Sequence, residues 1–255
     1  MHLEYHRPQT LEEALALLGR AEPRTLPLGG GAFLNAAQRP KTLPQEDVAV
    51  VDLQALGLDA ITPRGNFADL GATARLQDLL QADLPQALKD AAALETTYTR
   101  RHLQTVAGTL VAADGMSPFA TAMMALDAVL LLQPDDEKLP LGELYPFRFD
   151  HLQGKLITKV TVPTQAKLAV ETVAPSPLSR PLLVAAVAQW PSGRTRVVLG
   201  GWGDAPHLAM DGPEATGAEE AARNAAHDAD DYRASAEYRR EVAAVLVRRA
   251  LQALA

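Results

Sequence analysis

Apolar residues recur at helical spacing at Leu11, Leu15 and Leu18, behind the capping-box run Thr10-Leu11-Glu12-Glu13 and ahead of Gly19, a stop signal. This predicts a short early helix whose apolar stripe needs a sheet to cover. Arg24 to Leu28 and Val48 to Leu53 read as short strands, the first running directly into the triplet Gly29-Gly30-Gly31. Phe67 to Gly71 predicts a further strand after the Arg64-Gly65-Asn66 turn, followed by helix signals from Thr73 to Leu80 and from Pro85 to Leu94. Ser117-Pro118 opens another helix through Leu126, and apolar strands follow at Ala128 to Leu132 and Leu156 to Val162, the latter ending at Pro163.

From Leu168 the pattern changes. A strand to Val173 precedes the break at Pro175-Ser176-Pro177, and a hairpin of Leu182 to Trp190 and Thr195 to Leu199 is predicted around Pro191-Ser192-Gly193. Beyond Gly200-Gly201 the chain reads as helical to its end, with Tyr238, Val242, Val245, Leu246 and Ala253 on one face of a terminal helix begun near Ser235. The boundary is expected between Pro163 and Lys167. The reading is an α+β fold: a first domain over residues 1–164, and over 165–255 a smaller domain of antiparallel strands plus helices.

Composition narrows the chemistry. The chain has 255 residues, 47% of them apolar, enough for a sizeable core without staples. It has no cysteine, which excludes disulfides, thiolate zinc sites and an iron–sulfur cluster ligated conventionally from within this chain. With a net charge of −7 and basic residues scattered except for pairs such as Arg100-Arg101, no cationic stripe exists to track nucleic acid. No leader pattern and no bilayer-spanning run is visible, so a cytoplasmic protein without membrane insertion is expected.

The six histidines show no metal-ligand spacing, and Asp135-Asp136-Glu137 and Asp228, Asp230 and Asp231 read as solvated loop acids, so no metal is expected. Two small-residue segments remain, Leu28-Gly29-Gly30-Gly31-Ala32-Phe33-Leu34 and Thr105-Val106-Ala107-Gly108-Thr109. Turns of this kind can hold a pyrophosphate, because missing side chains let backbone N–H groups converge on an anion. Taken alone, a glycine triplet is more often a tight turn, and the spacing is not that of a Rossmann turn.

The order of features along the chain resembles the FAD-binding medium subunits of the molybdenum hydroxylases, the xanthine dehydrogenase and carbon monoxide dehydrogenase class. Tyr5-His6-Arg7-Pro8-Gln9-Thr10-Leu11-Glu12-Glu13-Ala14-Leu15 is similar to that family's Y-x-R-P-x-T-x-E-E-A-L opening, and Val51-Asp52-Leu53 and Gly71-Ala72-Thr73 to its next two segments. Arg101-His102-Leu103-Gln104-Thr105-Val106-Ala107-Gly108-Thr109-Leu110 resembles R-N-x-x-T-[IV]-G-G-N-[IL], with Leu126-Asp127-Ala128 matching its L-D-A. Leu199-Gly200-Gly201 and the run from Asp230 to Arg240 resemble the small C-terminal domain with its D-x-x-A-S-x-x-Y-R.

The resemblance implies a two-part FAD-binding (PCMH-type) domain followed by a carbon monoxide dehydrogenase flavoprotein-type C-terminal domain. It also implies that Gly29, Gly30, Gly31, Ala32 and Phe33, with Thr105, Val106, Ala107, Gly108 and Thr109, cradle the FAD diphosphate through backbone N–H groups. The hydroxyls of Thr105 and Thr109 would add donors, and Arg101 would brace the second segment. No side chain is assigned as a catalytic acid or base. Partners implied are a large subunit with the molybdenum cofactor and a small 2Fe-2S subunit, the flavin passing electrons to an acceptor.

The chain also departs from the family pattern. Ala32 and Phe33 replace polar positions, Ala107 a glycine, Thr109 and His102 asparagines, and Pro118 an aspartate that meets the ribose, with Asp114 four residues earlier. These changes point to weakened or altered FAD binding, and they leave open a flavin-free scaffold or assembly subunit.

Overall fold

The computed structural model describes residues 3–32, 48–176 and 179–255. Three sheets are laid down in chain order, so each motif belongs to a definite layer. The first unit contains β1 (Leu3–His6), α1 (Leu11–Leu18), β2 (Arg24–Leu28) and β3 (Val48–Asp52), with the strands parallel in the order β1-β3-β2. The central β3, Val-Ala-Val-Val-Asp, is buried along its whole length, which accounts for its unbroken apolar run. The N-terminal helix starts as expected: Thr10 Oγ1 accepts from the Glu13 N–H at 3.2 Å, and the Glu13 carboxylate accepts from the Gln9 N–H at 3.0 Å. Ala14 on α1 then packs with Val51, Leu53 and Leu156.

The second unit adds β4 (Ile61–Arg64), β5 (Phe67–Gly71), α2 (Leu76–Leu79), α3 (Gln86–Glu95), α4 (Tyr98–Arg101), α5 (Val106–Ala112) and α6 (Pro118–Ala125). After these come β6 (Val129–Gln133), β7 (Glu137–Pro140), α7 (Leu141–Leu144), α8 (Arg148–His151) and β8 (Leu156–Pro163). Its sheet is antiparallel in the order β4-β5-β8-β6-β7, so β8, last in sequence, lies at the centre. Helix α6 is buried on every side, with Ser117 capping it and Pro118 in its first turn.

The third unit comprises β9 (Lys167–Val173), β10 (Leu183–Gln189), β11 (Thr195–Gly200), β12 (His207–Gly212), α9 (Ala218–Ala225) and α10 (Ala236–Leu254). Its antiparallel sheet runs β12-β11-β10-β9. One face joins the core of the second unit through Leu168, Ala186, Ala188 and Val198; the other packs under α9 and α10 through Leu183, Ala185, Val187, Val197 and Leu199. The α+β class holds, and the sheets change between Pro163 and Lys167.

Four expectations are corrected. The chain beyond Gly201 is not wholly helical, because β12 adds an edge strand whose side chains are largely exposed and carry no apolar alternation. The buried face of α10 is Arg239, Ala243, Leu246, Val247, Ala250 and Leu254, whereas Tyr238 and Val245 are exposed. Helix signals from Thr73 to Leu80 yield only the single turn α2. Asp231 is no solvated loop acid: it pairs with Arg239, which is 0% exposed, through two contacts of 2.9 Å.

Candidate functional site

Two segments far apart in sequence meet at the end of β2. A Cβ built on Gly30 would stand 1.8 Å from the Leu103 carbonyl oxygen, and one on Gly29 2.8 Å from Thr105 Oγ1. Glycine is therefore required at both positions by the close approach of residues 103–105. Gly31 is required for another reason, a left-handed φ of 74°. The first-unit glycines and the second-unit 103–108 segment thus form one wall.

The second segment is a helix start and not a turn. Thr105 is the N-cap of α5, its Oγ1 accepting from the Gly108 N–H at 3.2 Å, and Thr109 Oγ1 donates back to the Thr105 carbonyl at 2.8 Å. The helix is seated by the Gly71-Ala72-Thr73 region: Val106 N–H donates to Ala74 O at 2.8 Å and Ala107 N–H to Ala72 O at 3.1 Å. Thr109 N–H bonds to Thr105 O at 2.8 Å. The N–H groups of Val106, Ala107, Gly108 and Thr109, expected to face a diphosphate, are thus spent inside the protein, and both threonine hydroxyls are engaged.

Along this wall runs a cleft of about 530 Å³, within the range of small-molecule and cofactor sites. Of the residues singled out in the sequence, Gly29, Thr105, Ala107 and Gly108 line it. Val106 and Thr109 are buried in the core, Gly30, Gly31 and Ala32 do not line the cleft, and Phe33 lies outside the described residues. The Ala107 backbone is helical, so its methyl brings no strain, but it does reach the cleft wall.

Apolar walls come from Leu26, Pro27, Leu53, Ala72, Val111 and Ile157, and the charged residues Arg20, Arg24, Lys155 and Asp150 also line the cleft. Arg20 is held by Glu4 at 3.4 Å and Lys155 by Glu137, whereas Arg24 is exposed and makes no ion pair among the described residues. From Arg24 to Gly29 the wall follows β2 for roughly 17 Å at the usual strand rise. An elongated ligand with an apolar ring system and an anionic group matches this lining, and FAD has both.

Several other family-like residues build the scaffold. Asp52 accepts from the Tyr5 hydroxyl and from the Gln54 N–H at 2.9 Å, with Arg7 at 3.9 Å, which ties the opening motif to the Val51-Asp52-Leu53 segment. Arg101 donates to Ala93 O at 2.8 Å and Thr96 O at 3.1 Å, so it closes the C-terminal end of α3 instead of bracing the second segment. Asp114 is held by Arg180 at 2.8 Å and takes the Met116 N–H at 2.9 Å. Asp127, at a left-handed φ of 56°, joins Arg194 at 2.8 Å and Arg196 at 2.6 Å on the third unit.

Two residues escaped the sequence reading. Gln54 Nε2 donates to the Gly29 carbonyl at 2.7 Å, and Arg148 donates to Val111 O, Ala113 O and Asp204 O at 2.7 to 2.8 Å, clamping the end of α5 to the third unit. Neither belongs to a recognisable motif; only the parallel pairing of β2 with β3 reveals Gln54. Among the described residues no three histidine or carboxylate side chains converge as metal ligands would, and no helix is long and apolar enough to cross a membrane.

Comparison with known proteins agrees with this architecture. The chain is 29% identical over 251 residues to the uncharacterised protein YgfM of Escherichia coli, covering 96% of this chain and 93% of that one. It is 28% identical over 171 residues to the glyceraldehyde dehydrogenase medium chain of Sulfolobus acidocaldarius, covering 62% and 59%. Its fold matches a chain of carbon monoxide dehydrogenase from Oligotropha carboxidovorans with a TM-score of 0.81 at 24% identity, over 99% of this chain and 97% of that one. It matches a chain of quinoline 2-oxidoreductase from Pseudomonas putida with a TM-score of 0.78 at 19% identity, over 99% and 96%. Residues 1–165 match the family described as the FAD binding domain in molybdopterin dehydrogenase, and the chain belongs to that family.

Proposed function

We propose that this chain is the flavoprotein (medium) subunit of a molybdenum-hydroxylase-type oxidoreductase. In this reading it receives electrons from a 2Fe-2S small subunit and a molybdenum-cofactor large subunit and passes them to an acceptor, in the cytoplasm. Residues 1–164 form the cofactor domain and 165–255 the C-terminal domain that packs against it. The observation that carries the reading is the cleft in which Gly29 meets the Thr105–Gly108 helix start, within a chain of this family.

FAD, when bound, supplies the redox centre. The chain's own residues bind and orient it: Leu26, Pro27, Leu53 and Ile157 provide apolar contact and exclude water, and Arg24, which makes no ion pair among the described residues, offers a cation. Of the glycine triplet, Gly29 lines the cleft wall and brings its backbone to the ligand. No side chain here needs to act as an acid or base.

The occupied N–H groups of Val106, Ala107, Gly108 and Thr109 favour a second reading, a flavin-free scaffold or assembly subunit of the same fold. The visible spectrum of the purified protein separates the two. A yellow protein that releases about one FAD per chain overturns the scaffold, whereas a colourless one that added FAD cannot reconstitute overturns the flavoprotein.

A further inference from the structure

Helix α5 ends at Ala112, and its last carbonyls have no following turn to accept from. Arg148 supplies the missing donors. Its Nη1 donates to Val111 O at 2.8 Å and to Ala113 O at 2.7 Å, and its Nη2 donates to Asp204 O at 2.8 Å. Asp204 belongs to the loop between β11 and β12, which is pinned to the segment ahead of α6: Gly203 O accepts the Gly115 N–H at 3.0 Å. The guanidinium is one rigid planar fork, so carbonyls from two units fix its position. Its carbon also sits over the buried Tyr145 ring, 4.9 Å from the ring centre.

The consequence falls on the cleft. Val111 lines it, and so does Phe149, the residue next to Arg148 on α8, whereas Arg148 itself does not. One side chain therefore sets Phe149 at a defined place relative to α5. Phe149 is 65% exposed, so a ligand ring laid on it would take a large apolar surface out of water. Resting on the flavoprotein reading above, we infer that Arg148 is a positioning residue. Anchored on α5 and on the third unit, it holds Phe149 at the cleft wall so that the phenyl ring packs on a ring system of the bound dinucleotide. Arg148 does not touch the ligand.

The argument is one of pre-organisation. A helix of a single turn such as α8 has little local stability to hold a side chain in place, and a contact that must be ordered on binding costs affinity that a fixed one does not. The three carbonyls on Arg148 supply the order that α8 lacks.

The test is a double-mutant cycle with Arg148→Met, Phe149→Ala and the two combined, read by FAD affinity from fluorescence quenching and by the melting temperature of the ligand-free protein. Arg148→Lys, which keeps the charge but lacks the planar fork, replaces Arg148→Met in the cycle if the latter does not fold. Phe149→Tyr keeps the ring, and Arg194→Met removes a different tie of the third unit, the one to Asp127. The expected result is FAD affinity weakened about three- to tenfold by each of Arg148→Met and Phe149→Ala, the scale of one aromatic contact. The combined variant should be no weaker than the weaker single, because both remove the same contact. Phe149→Tyr should bind FAD as the wild type does, and Arg194→Met should lower the melting temperature with affinity unchanged. Wild-type affinity in Arg148→Met or in Phe149→Ala, or losses that add in the combined variant, overturn the role of Arg148 and leave the flavoprotein reading intact. A loss that Arg194→Met reproduces at the same drop in melting temperature also overturns it, as a general effect of stability. A wild-type protein that takes up no FAD overturns the flavoprotein reading, and this role with it.

Discussion

Gly30 and Leu103, 73 positions apart in sequence, approach so closely that a single methyl on Gly30 would penetrate the Leu103 carbonyl. Both neighbours are backbone, so no side chain can swing aside. Gly30→Ala is expected to force the two units apart at this junction, destabilise the protein by about 1–3 kcal/mol or more, and weaken ligand binding in the cleft together with it. Gly57→Ala is the contrasting control: that residue has a left-handed φ of 65°, which Gly30 lacks, but nothing lies near its Cβ. It should cost only the roughly 1–2 kcal/mol of a left-handed alanine and leave binding unchanged. Denaturant titration with and without FAD reads both quantities.

The pair of Asp231 and Arg239 sets the acid limit of the third unit. Burial alone would raise the Asp231 carboxyl, but hydrogen bonds from the Arg239 side chain and the Arg233 and Ala234 N–H groups outweigh it and hold the group below its usual 3.8. A depressed folded value means that the contribution is present above the unfolded value and is lost as pH falls through the folded one. Asp231→Asn should therefore lower stability at neutral pH and flatten its fall in acid, read by urea midpoints from about pH 3 to pH 7. Arg239→Met leaves Asp231 half-buried without its counter-ion and should cost about 3–5 kcal/mol.

Glu95 gives a pH dependence of opposite sign. It accepts from Ser117 Oγ at 2.7 Å and from the Phe119 N–H at 3.1 Å, so it stands at the start of α6. Burial pushes its carboxyl up to about 7 in spite of those two hydrogen bonds and the nearby Arg180. With the folded value above the unfolded 4.5, the contribution is complete below 4.5 and is lost as pH rises through about 7. Glu95→Gln keeps an acceptor for Ser117 and Phe119 but cannot ionise. Between about pH 5 and pH 8 the variant's unfolding midpoint should change less than the wild type's; parallel curves would rule Glu95 out as the titrating group.

What could be read from the sequence was what is encoded locally. Thr10 with Glu13, and Ser117 with Pro118, announce helix starts within four residues, and both helices form there. The two small-residue segments are legible as well, but the low helix propensity of Gly108 masks the threonine N-cap, so the pattern around Thr105 reads as a turn. In α10 the alanine content blurs the apolar stripe, and a buried Arg239 sits where a pattern based on hydrophobicity places a surface residue. Asp231 looked solvated because its neutralising partner is eight positions away on the next helix. Gln54 has no signal of its own: its bond to the Gly29 carbonyl follows from the parallel register that sets Leu28 beside Asp52.

Ala107 separates the two readings of this protein most directly. Its methyl lines the cleft, while its N–H already donates to Ala72 O at 3.1 Å. Ala107→Gly therefore adds room without adding a donor, so any gain in FAD affinity reports steric relief alone. If the methyl crowds the ligand, the variant should bind FAD about fivefold more tightly, the equivalent of the roughly 1 kcal/mol that one overpacked methyl costs. Stability should fall meanwhile by about 0.5–1 kcal/mol for a glycine in a helix. Both are measurable in one set of experiments, FAD titration by fluorescence and thermal melting of the ligand-free protein. A melting temperature that falls as expected, beside an unchanged FAD affinity, would show that the methyl is accommodated. Any weakness in cofactor binding would then lie with the donors that α5 has spent on Ala72 and Ala74.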